Sequence, residues 1–194
     1  MKIVFYGNSI ETGANSSAFL NRPPFMPGWP ELIVYNLREY YSAQVDFSNQ
    51  SVGGMLAQWG ADKAAERVVP QKPDLVIIGF GMNDGTFKVS PEKYSDNIKR
   101  IIATVREQHP STEFILIAPM LANPHATQNG LQALYKAELV KLTGNGVAIA
   151  DITSLHRYLL QKKSYQDMTG NNVNHPNDYL ARWYAQFITA LLIK

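Results

Sequence analysis

Short apolar runs alternate with amphipathic stretches along most of the chain. The runs predict five strands, at Ile3 to Tyr6, Val45 to Ser48, Asp74 to Phe80, Glu113 to Ala118 and Val147 to Ala150. The amphipathic stretches predict helices around Glu31 to Tyr41, Ala61 to Val69, from Pro91 onward, Gln132 to Leu142 and Tyr179 to Leu192. This alternation is typical of βα units built on a mostly parallel sheet.

Two segments carry the strongest local signals. The run from Asp74 to Phe80 is the most apolar, which predicts a central strand buried on both faces. Ser90 and Pro91 fit an N-cap followed by proline at the first helical position, and the apolar residues after them recur at helical spacing. With right-handed crossovers, the pattern predicts a flavodoxin-like three-layer α/β/α sandwich with a five-stranded, mostly parallel sheet.

Composition narrows the class of protein. A chain of 194 residues with 45% hydrophobic and 18% charged residues suits one domain, which we expect to span residues 1–194. The net charge of +2 comes from scattered basic residues, so we expect no nucleic-acid partner. The absence of cysteine excludes disulfides, thiolate metal sites and a cysteine nucleophile.

Neither a cofactor nor a metal is indicated. The histidines and carboxylates lack the paired spacing of metal ligands, and no Gly-Lys-Ser or Gly-Lys-Thr phosphate loop is present. The first six residues are too short for a signal-peptide core, and no apolar run approaches membrane-spanning length. We expect a soluble, cytoplasmic protein as the chain stands, or a secreted one if a leader is lost from before Met1; oligomeric state is not predictable.

Polar patches occur at four places where a strand or loop is predicted. They are Gly7-Asn8-Ser9, Asn49 to Gly54, Gly81 to Asp84, and Asn172 to His175. The first three follow strands one, two and three, and the fourth lies before the last helix. Because ligands of open parallel sheets bind beyond the carboxyl ends of the strands, we expect the patches to converge at one rim.

The residue types in these patches suit acyl transfer. A serine hydroxyl is a poor nucleophile until a base within hydrogen-bond reach removes its proton, and His175 is the candidate base for Ser9. The acyl oxygen becomes negative during attack. Amides at flexible glycine positions, together with the Asn83 carboxamide, are suited to meet that charge.

In this order the four patches resemble the SGNH hydrolase superfamily, also called GDSL esterases, over nearly the whole chain. The resemblance implies that Ser9 is the nucleophile and His175 the base. It also implies an oxyanion hole formed by the amides of Ser9 and Gly54 and the side chain of Asn83. Asn8 stands where the family has aspartate, and we expect it to brace its loop by hydrogen bonds.

A second departure concerns the partner of His175. The family's Asp-x-x-His block matches a segment that begins with Asn172, which can accept a hydrogen bond but brings no charge. Three arrangements stay open: a triad with Asn172, recruitment of Asp178 or Asp167, or a dyad oriented by a backbone carbonyl. We favour Asn172 or a carbonyl near it, and expect Asp178 to be the N-cap of the last helix.

Other polar residues in these regions are expected to be structural. We expect Asp84 to structure its loop and Asp151 to cap a helix. The remaining histidines, His109, His125 and His156, lie in or near predicted loops or at a helix end, and most such residues are solvated or locally hydrogen-bonded. Among them, His125 is the candidate to line the site.

Substrate class is less well defined by the sequence. The aromatic segment from Phe19 to Trp29 fits either a wall of an acyl or sugar pocket or a loop over a hydrophobic edge. The resemblance, with no lipid-interface helix evident, favours short acyl esters, with O-acetylated carbohydrate first and lysophospholipid or thioester substrates as alternatives. Two other functional classes stay open. One is a catalytically impaired domain that binds glycans or a partner. The other is a flavodoxin-like binder, an interpretation that gives Asn83 and His175 no role.

Overall fold

A five-stranded sheet forms the centre of the computed structural model, which describes residues 1–193. The strand order is β2-β1-β3-β4-β5 and every pair is parallel. The strands are β1 (Lys2–Gly7), β2 (Asp46–Asn49), β3 (Leu75–Gly79), β4 (Glu113–Ala118) and β5 (Val147–Asp151). The helices are α1 (Trp29–Tyr41), α2 (Ala57–Arg67), α3 (Met82–Thr86), α4 (Pro91–Gln108), α5 (Tyr135–Val140), α6 (Ile152–Leu159) and α7 (Asp178–Leu192).

Helices cover both faces of the sheet. Successive strand side chains point to opposite faces, so Phe5 of β1 packs in one core and Tyr6 in the other. The first core contains residues of α1, α6 and α7, and the second contains residues of α2, α4 and α5. Strand β3 is buried along its whole length. The predicted flavodoxin-like three-layer sandwich is therefore confirmed.

Helix boundaries differ from the sequence-based expectation in several places. Ser90 caps α4 as predicted, its hydroxyl accepting the N–H of Lys93 at 3.3 Å. Helix α2 begins at Ala57, about one turn earlier than expected. The predicted helix from 132 to 142 is instead a 3₁₀ turn followed by the short α5. Helices α3 and α6 were not predicted. Among residues 1–193, no helix combines the length and apolar character needed to cross a bilayer.

Of the two aspartates predicted to cap helices, one does so and the other does not. Asp151 caps α6 as expected, accepting the N–H of Ser154 at 2.9 Å. The prediction that Asp178 caps α7 is wrong, because the preceding Asn177 has the extended backbone of a cap and accepts two amide N–H groups of the first turn. Asp178 is the first helical residue, and its carboxylate accepts the N–H of Ser17 at 2.8 Å.

A long loop, residues 8–28, joins β1 to α1 and is held closely against the sheet edge. The backbones of Gly13 and Gly28 touch, since a Cβ on Gly28 would lie 2.6 Å from the Cα of Gly13. Trp29, just after the loop, is fully buried and donates its indole N–H to the carbonyl of Ile10 at 3.2 Å. Trp29 is therefore not available to a ligand. The exposed aromatic residues of the segment from Phe19 to Trp29, such as Phe19 at 61% exposure, lie within the loop.

Candidate active site

Ser9 and His175 meet at the carboxyl edge of the sheet. Ser9 lies two residues beyond the end of β1, and His175 lies in the loop before α7. The Oγ of Ser9 is 2.8 Å from Nε2 of His175, which is hydrogen-bond distance for a nucleophile and its base. The fold therefore brings together two predicted site residues that are 166 positions apart in the chain.

Free backbone amides lie beside Ser9. A Cβ on Gly53 would be 3.7 Å from the Cβ of Ser9, so the loop after β2 runs directly alongside it. Gly54 has a φ of +79°, a backbone conformation that glycine adopts without strain. Within residues 1–193, the N–H groups of Ser9 and Gly54 donate to no backbone carbonyl. The Ser9 amide, and the Gly54 amide one residue beyond Gly53, are therefore left without a backbone acceptor.

Asn83 lies on α3, directly after β3. One N–H of its carboxamide donates to the carbonyl of Met55 at 3.1 Å, which fixes the side-chain orientation. The second N–H remains for a ligand. Strands β1 and β3 are neighbours at the point where the strand order reverses, so Ser9 and Asn83 emerge side by side.

Asp84 ties two of the site loops together. Its carboxylate is fully buried and accepts the N–H of Ala57 at 2.9 Å and of Gly81 at 3.1 Å. Burial raises the pKa of Asp84 to about 6. This residue links the start of α2 to the turn that carries Asn83, which agrees with the expectation that it structures its loop.

A buried carboxyl group supports the nucleophile loop from below. Glu11 is 2% exposed and accepts the N–H of Asn8 at 2.8 Å, while Asn8 Oδ1 accepts the N–H of Ile10 at 3.0 Å. Gly7 makes room for this group, since a Cβ there would lie 2.5 Å from Glu11 Oε2. Burial raises the pKa of Glu11 to about 8. Sequence reasoning missed it because a glutamate in a polar loop gives no sign of burial.

Asn172 does not contact His175, and the prediction that it orients the histidine is wrong on geometry. Its backbone is left-handed, with a φ of 55°, and its side chain is exposed. The carbonyl and Oδ1 of Asn172 accept the side-chain N–H groups of Asn123 at 2.7 and 3.3 Å. The residue therefore braces its loop against the segment after β4.

The alternative acids also point elsewhere. Asp178 is engaged by the N–H of Ser17, and Asp167 accepts the hydroxyl and N–H of Ser164. Within residues 1–193, no carboxylate or backbone carbonyl forms a hydrogen bond with Nδ1 of His175. A charged triad and a carbonyl-oriented dyad are both absent from this part of the chain.

Two asparagines occupy the position behind the histidine. Oδ1 of Asn15 lies 2.7 Å from Nδ1 of His175, and Nδ2 of Asn171 lies 3.1 Å from the same atom. Burial lowers the pKa of His175. Neither asparagine was predicted, because Asn15 belongs to no family block and Asn171 lies one residue before the expected one. The left-handed φ of 70° at Asn15, which asparagine tolerates, is the local feature that directs this residue.

Among residues 1–193, the other histidines form no hydrogen bond with Ser9. His156 was expected in or near a loop, either solvated or hydrogen-bonded. It lies on α6 and is fully buried, and its Nδ1 accepts the N–H of Leu121 at 3.1 Å. Burial lowers the pKa of His156 to about 4. His125 is exposed and makes no hydrogen bond to a site residue through its ring. Across residues 1–193, no three His, Asp or Glu side chains are grouped as metal ligands.

Comparison with known proteins identifies the family. The model of the GDSL-like lipase/acylhydrolase family matches residues 5–183. The chain belongs to this family. The SGNH resemblance predicted from the four polar patches is confirmed by this match, and the GDSL-like fold agrees with the observed sheet order and layers.

Relatives of this GDSL-like chain include esterases. An arylesterase of Vibrio mimicus is 26% identical over 106 residues, which are 55% of this chain and 49% of that protein. The match thus spans about half of the relative's length. A protein of Parabacteroides merdae described as a GDSL-like lipase superposes with a TM-score of 0.82 at 17% identity, covering 99% and 96% of the two chains. An acetylxylan esterase of Geobacillus stearothermophilus has a TM-score of 0.79 at 17% identity, covering 97% and 92%.

Proposed function

We propose that this GDSL-like protein is a serine carboxylic ester hydrolase that acts on short acyl esters. The observation that carries the proposal is the 2.8 Å contact between Ser9 Oγ and His175 Nε2, beside two free amides and the Asn83 carboxamide. Family membership and an arylesterase relative support it.

In the first half of the reaction, Nε2 of His175 takes the proton of Ser9 as Oγ attacks the acyl carbon. The carbonyl oxygen becomes an oxyanion that accepts hydrogen bonds from the amides of Ser9 and Gly54 and from Asn83 Nδ2. His175 then gives its proton to the departing alkoxide. The alcohol leaves, and the acyl group stays on Ser9 as an ester.

The second half regenerates the enzyme. A water molecule takes the place of the alcohol and loses a proton to Nε2 of His175 as its oxygen attacks the acyl carbon. The same three donors stabilise the second oxyanion. When the intermediate collapses, Ser9 Oγ recovers the proton and a carboxylic acid is released. No step requires a cofactor.

The substrate class within this proposal is an O-acetylated carbohydrate. A cavity of about 240 Å³ includes Asn15 in its wall, although neither Ser9 nor His175 lines it. Its other lining residues are Ser17, Arg22, Pro23, Pro24, Asn177, Asp178 and Tyr179. The side chains of Arg22, Asn177 and Asp178 supply hydrogen-bonding groups for the hydroxyls of a sugar. The acetylxylan esterase of the same fold supports this choice.

Hydrolysis of p-nitrophenyl acetate, butyrate and octanoate by wild type and Ser9→Ala tests the reaction. We expect turnover to be fastest with acetate and to fall in Ser9→Ala to the uncatalysed level, because the variant lacks the hydroxyl that His175 would activate. A fluorophosphonate probe should label wild type and not the variant. Release of acetate from acetylated xylo-oligosaccharides tests the carbohydrate assignment.

Ser111→Ala is the matched control, since this serine is exposed and lies before β4, at the opposite edge of the sheet. The variant should be labelled like wild type. Failure of the probe to label wild-type Ser9 would contradict the proposal and favour a domain that binds without catalysis. Faster turnover of octanoate than of acetate would reject the short-acyl assignment alone.

A further inference from the structure

We infer that Asn15 is the positioning residue of His175, taking the place that an acid holds in the usual serine triad. The inference rests on the proposed function, in which His175 is the base. In this arrangement, the turn that carries the nucleophile also orients the histidine. The family pattern would give that role to residue 172.

The first argument is the direction of the hydrogen bond at Nδ1. A carboxamide oxygen only accepts, so Oδ1 of Asn15, at 2.7 Å, requires a proton on Nδ1 of His175. A neutral imidazole carries one proton, so Nε2 is then free to accept the hydroxyl proton of Ser9. Asn15 therefore selects the tautomer that can act as a base.

Asn171 favours the opposite tautomer. Its Oδ1 accepts three backbone N–H groups, from residues 173, 174 and 175, which fixes the carboxamide with Nδ2 toward the histidine. One Nδ2 hydrogen donates to Asn174 Oδ1 at 3.0 Å. The other faces Nδ1 at 3.1 Å and can bond only to an unprotonated nitrogen. The shorter contact to Asn15 opposes this arrangement.

The second argument concerns the charged histidine formed during attack. Both ring nitrogens of an imidazolium carry hydrogen, so Nδ1–H needs an acceptor when Nε2 has taken the serine proton. Within residues 1–193, Asn15 Oδ1 is the one acceptor at hydrogen-bond distance from Nδ1. A neutral oxygen stabilises this cation less than a carboxylate does, because it adds a dipole and no net charge.

The turn that holds Asn15 is closely fixed. The N–H of Ala14 donates to the carbonyl of Ser9, which ties the turn to the nucleophile. Gly170 packs against the other side, since a Cβ there would lie 2.6 Å from the Cβ of Asn15. The N–H of Gly170 in turn donates to the carbonyl of His175. Asn15 is therefore held in place from both sides.

Asn15→Asp is the primary test. The backbone conformation suits aspartate, and the added carboxylate would stabilise the imidazolium. Because Asn15 already selects the required tautomer, the gain comes from the added charge alone. We expect kcat to rise by about tenfold, which corresponds to one pKa unit of added imidazolium stabilisation. The midpoint of the kcat/KM profile, expected below 6.5 in wild type, should move to higher pH. Asn145→Asp, at an exposed left-handed asparagine of the opposite sheet edge, controls for the added charge.

Asn15→Ala supplies the complementary test. Loss of a hydrogen bond to a charged group should lower kcat roughly 10- to 100-fold. In ¹⁵N NMR spectra of histidine-labelled protein, we expect wild-type His175 to carry its proton on Nδ1. In Asn15→Ala the proton should shift toward Nε2, because Asn171 is then the sole side chain at Nδ1. A merely structural role would not move the tautomer.

The outcomes separate this inference from the proposed function. Activity remaining in Ser9→Ala would overturn the proposed function. Loss of activity in Ser9→Ala, with an unchanged tautomer in Asn15→Ala and no gain in Asn15→Asp, would overturn the role of Asn15 alone. A gain in Asn172→Asp without a gain in Asn15→Asp would return that role to residue 172.

Discussion

At the residue scale, Asn83 is well suited to a mutational test of the oxyanion site. One of its amide N–H groups donates to Met55, and the other is left for a substrate. We expect Asn83→Ala to lower kcat for p-nitrophenyl acetate about 10²–10³-fold, the usual effect of losing one oxyanion donor. Because the side chain makes one hydrogen bond and is half-buried, the melting temperature should change little.

The matched control for this prediction is Asn36→Ala, on the surface of α1 away from the sheet's carboxyl edge. It should retain the parental rate. Parental activity in Asn83→Ala would remove this residue from the oxyanion site and leave the two backbone amides as its donors.

Individual site residues differed in how far the sequence revealed them. Ser9, Gly54 and Asn83 follow predicted strands, so their convergence could be expected from parallel-sheet geometry. His175 lies before the last predicted helix, and its place at the same edge was expected from the order of the four patches. Asn15 could not, because its contact depends on a left-handed turn and on the absence of a side chain at residue 170. Those features arise from tertiary packing.

At the scale of elements, the site depends on contacts between two loops. The turn after β1 and the loop before α7 touch where Gly170 faces Asn15. We expect Gly170→Ala to displace Asn15 and lower kcat about tenfold, comparable with loss of one charge-assisted hydrogen bond. Steady-state kinetics and the His175 tautomer in NMR spectra measure this effect.

A double-mutant cycle supplies the control. If Gly170→Ala acts through Asn15, most of its effect on kcat should disappear in an Asn15→Ala background, since the two changes remove the same contact. Fully additive losses would show that the alanine disturbs the site by another route, such as displacement of Ser9.

The elements themselves were predictable in proportion to their length and periodicity. The strands and the long helices α1, α4 and α7 followed from apolar runs and helical spacing. The short α3 and α6 did not, because helices of five and eight residues carry little periodicity, although Asp151 was expected to cap a helix. Asp84 anchors the turn before α3, Gln132 donates to the carbonyl of Met82, and Asp151 caps α6.

At the scale of the whole molecule, two buried groups affect stability in opposite directions with pH. His156 has a lowered pKa of about 4, so its contribution to stability is present above pH 6.5 and is lost as pH falls toward 4. Glu11 has a raised pKa of about 8. The folded chain holds this proton more tightly than the unfolded chain, so stability falls as pH rises from 4.5 toward 8.

We therefore expect Glu11→Gln to become more stable relative to wild type as pH rises. The gain in unfolding free energy between pH 4.5 and pH 8 should be on the order of 4 kcal/mol, at about 1.4 kcal/mol per pKa unit. Urea unfolding at a series of pH values measures it.

Glu39→Gln, at an exposed carboxylate of α1, is the matched control and should track wild type at every pH. A difference between Glu11→Gln and wild type that does not vary with pH would mean that Glu11 is already ionised in the folded chain.

The turn from Ser9 to Asn15 contacts both ring nitrogens of His175. This limits which segments of the site can be exchanged with those of a relative in a chimeric protein. A chimera that imports the turn from a relative with aspartate in its last block would bring a serine but no acceptor for Nδ1. The reverse chimera would supply two acceptors for one proton. The turn after β1 and the loop before α7 would therefore have to be exchanged together to keep one acceptor for Nδ1 of His175, although more than 150 residues separate them.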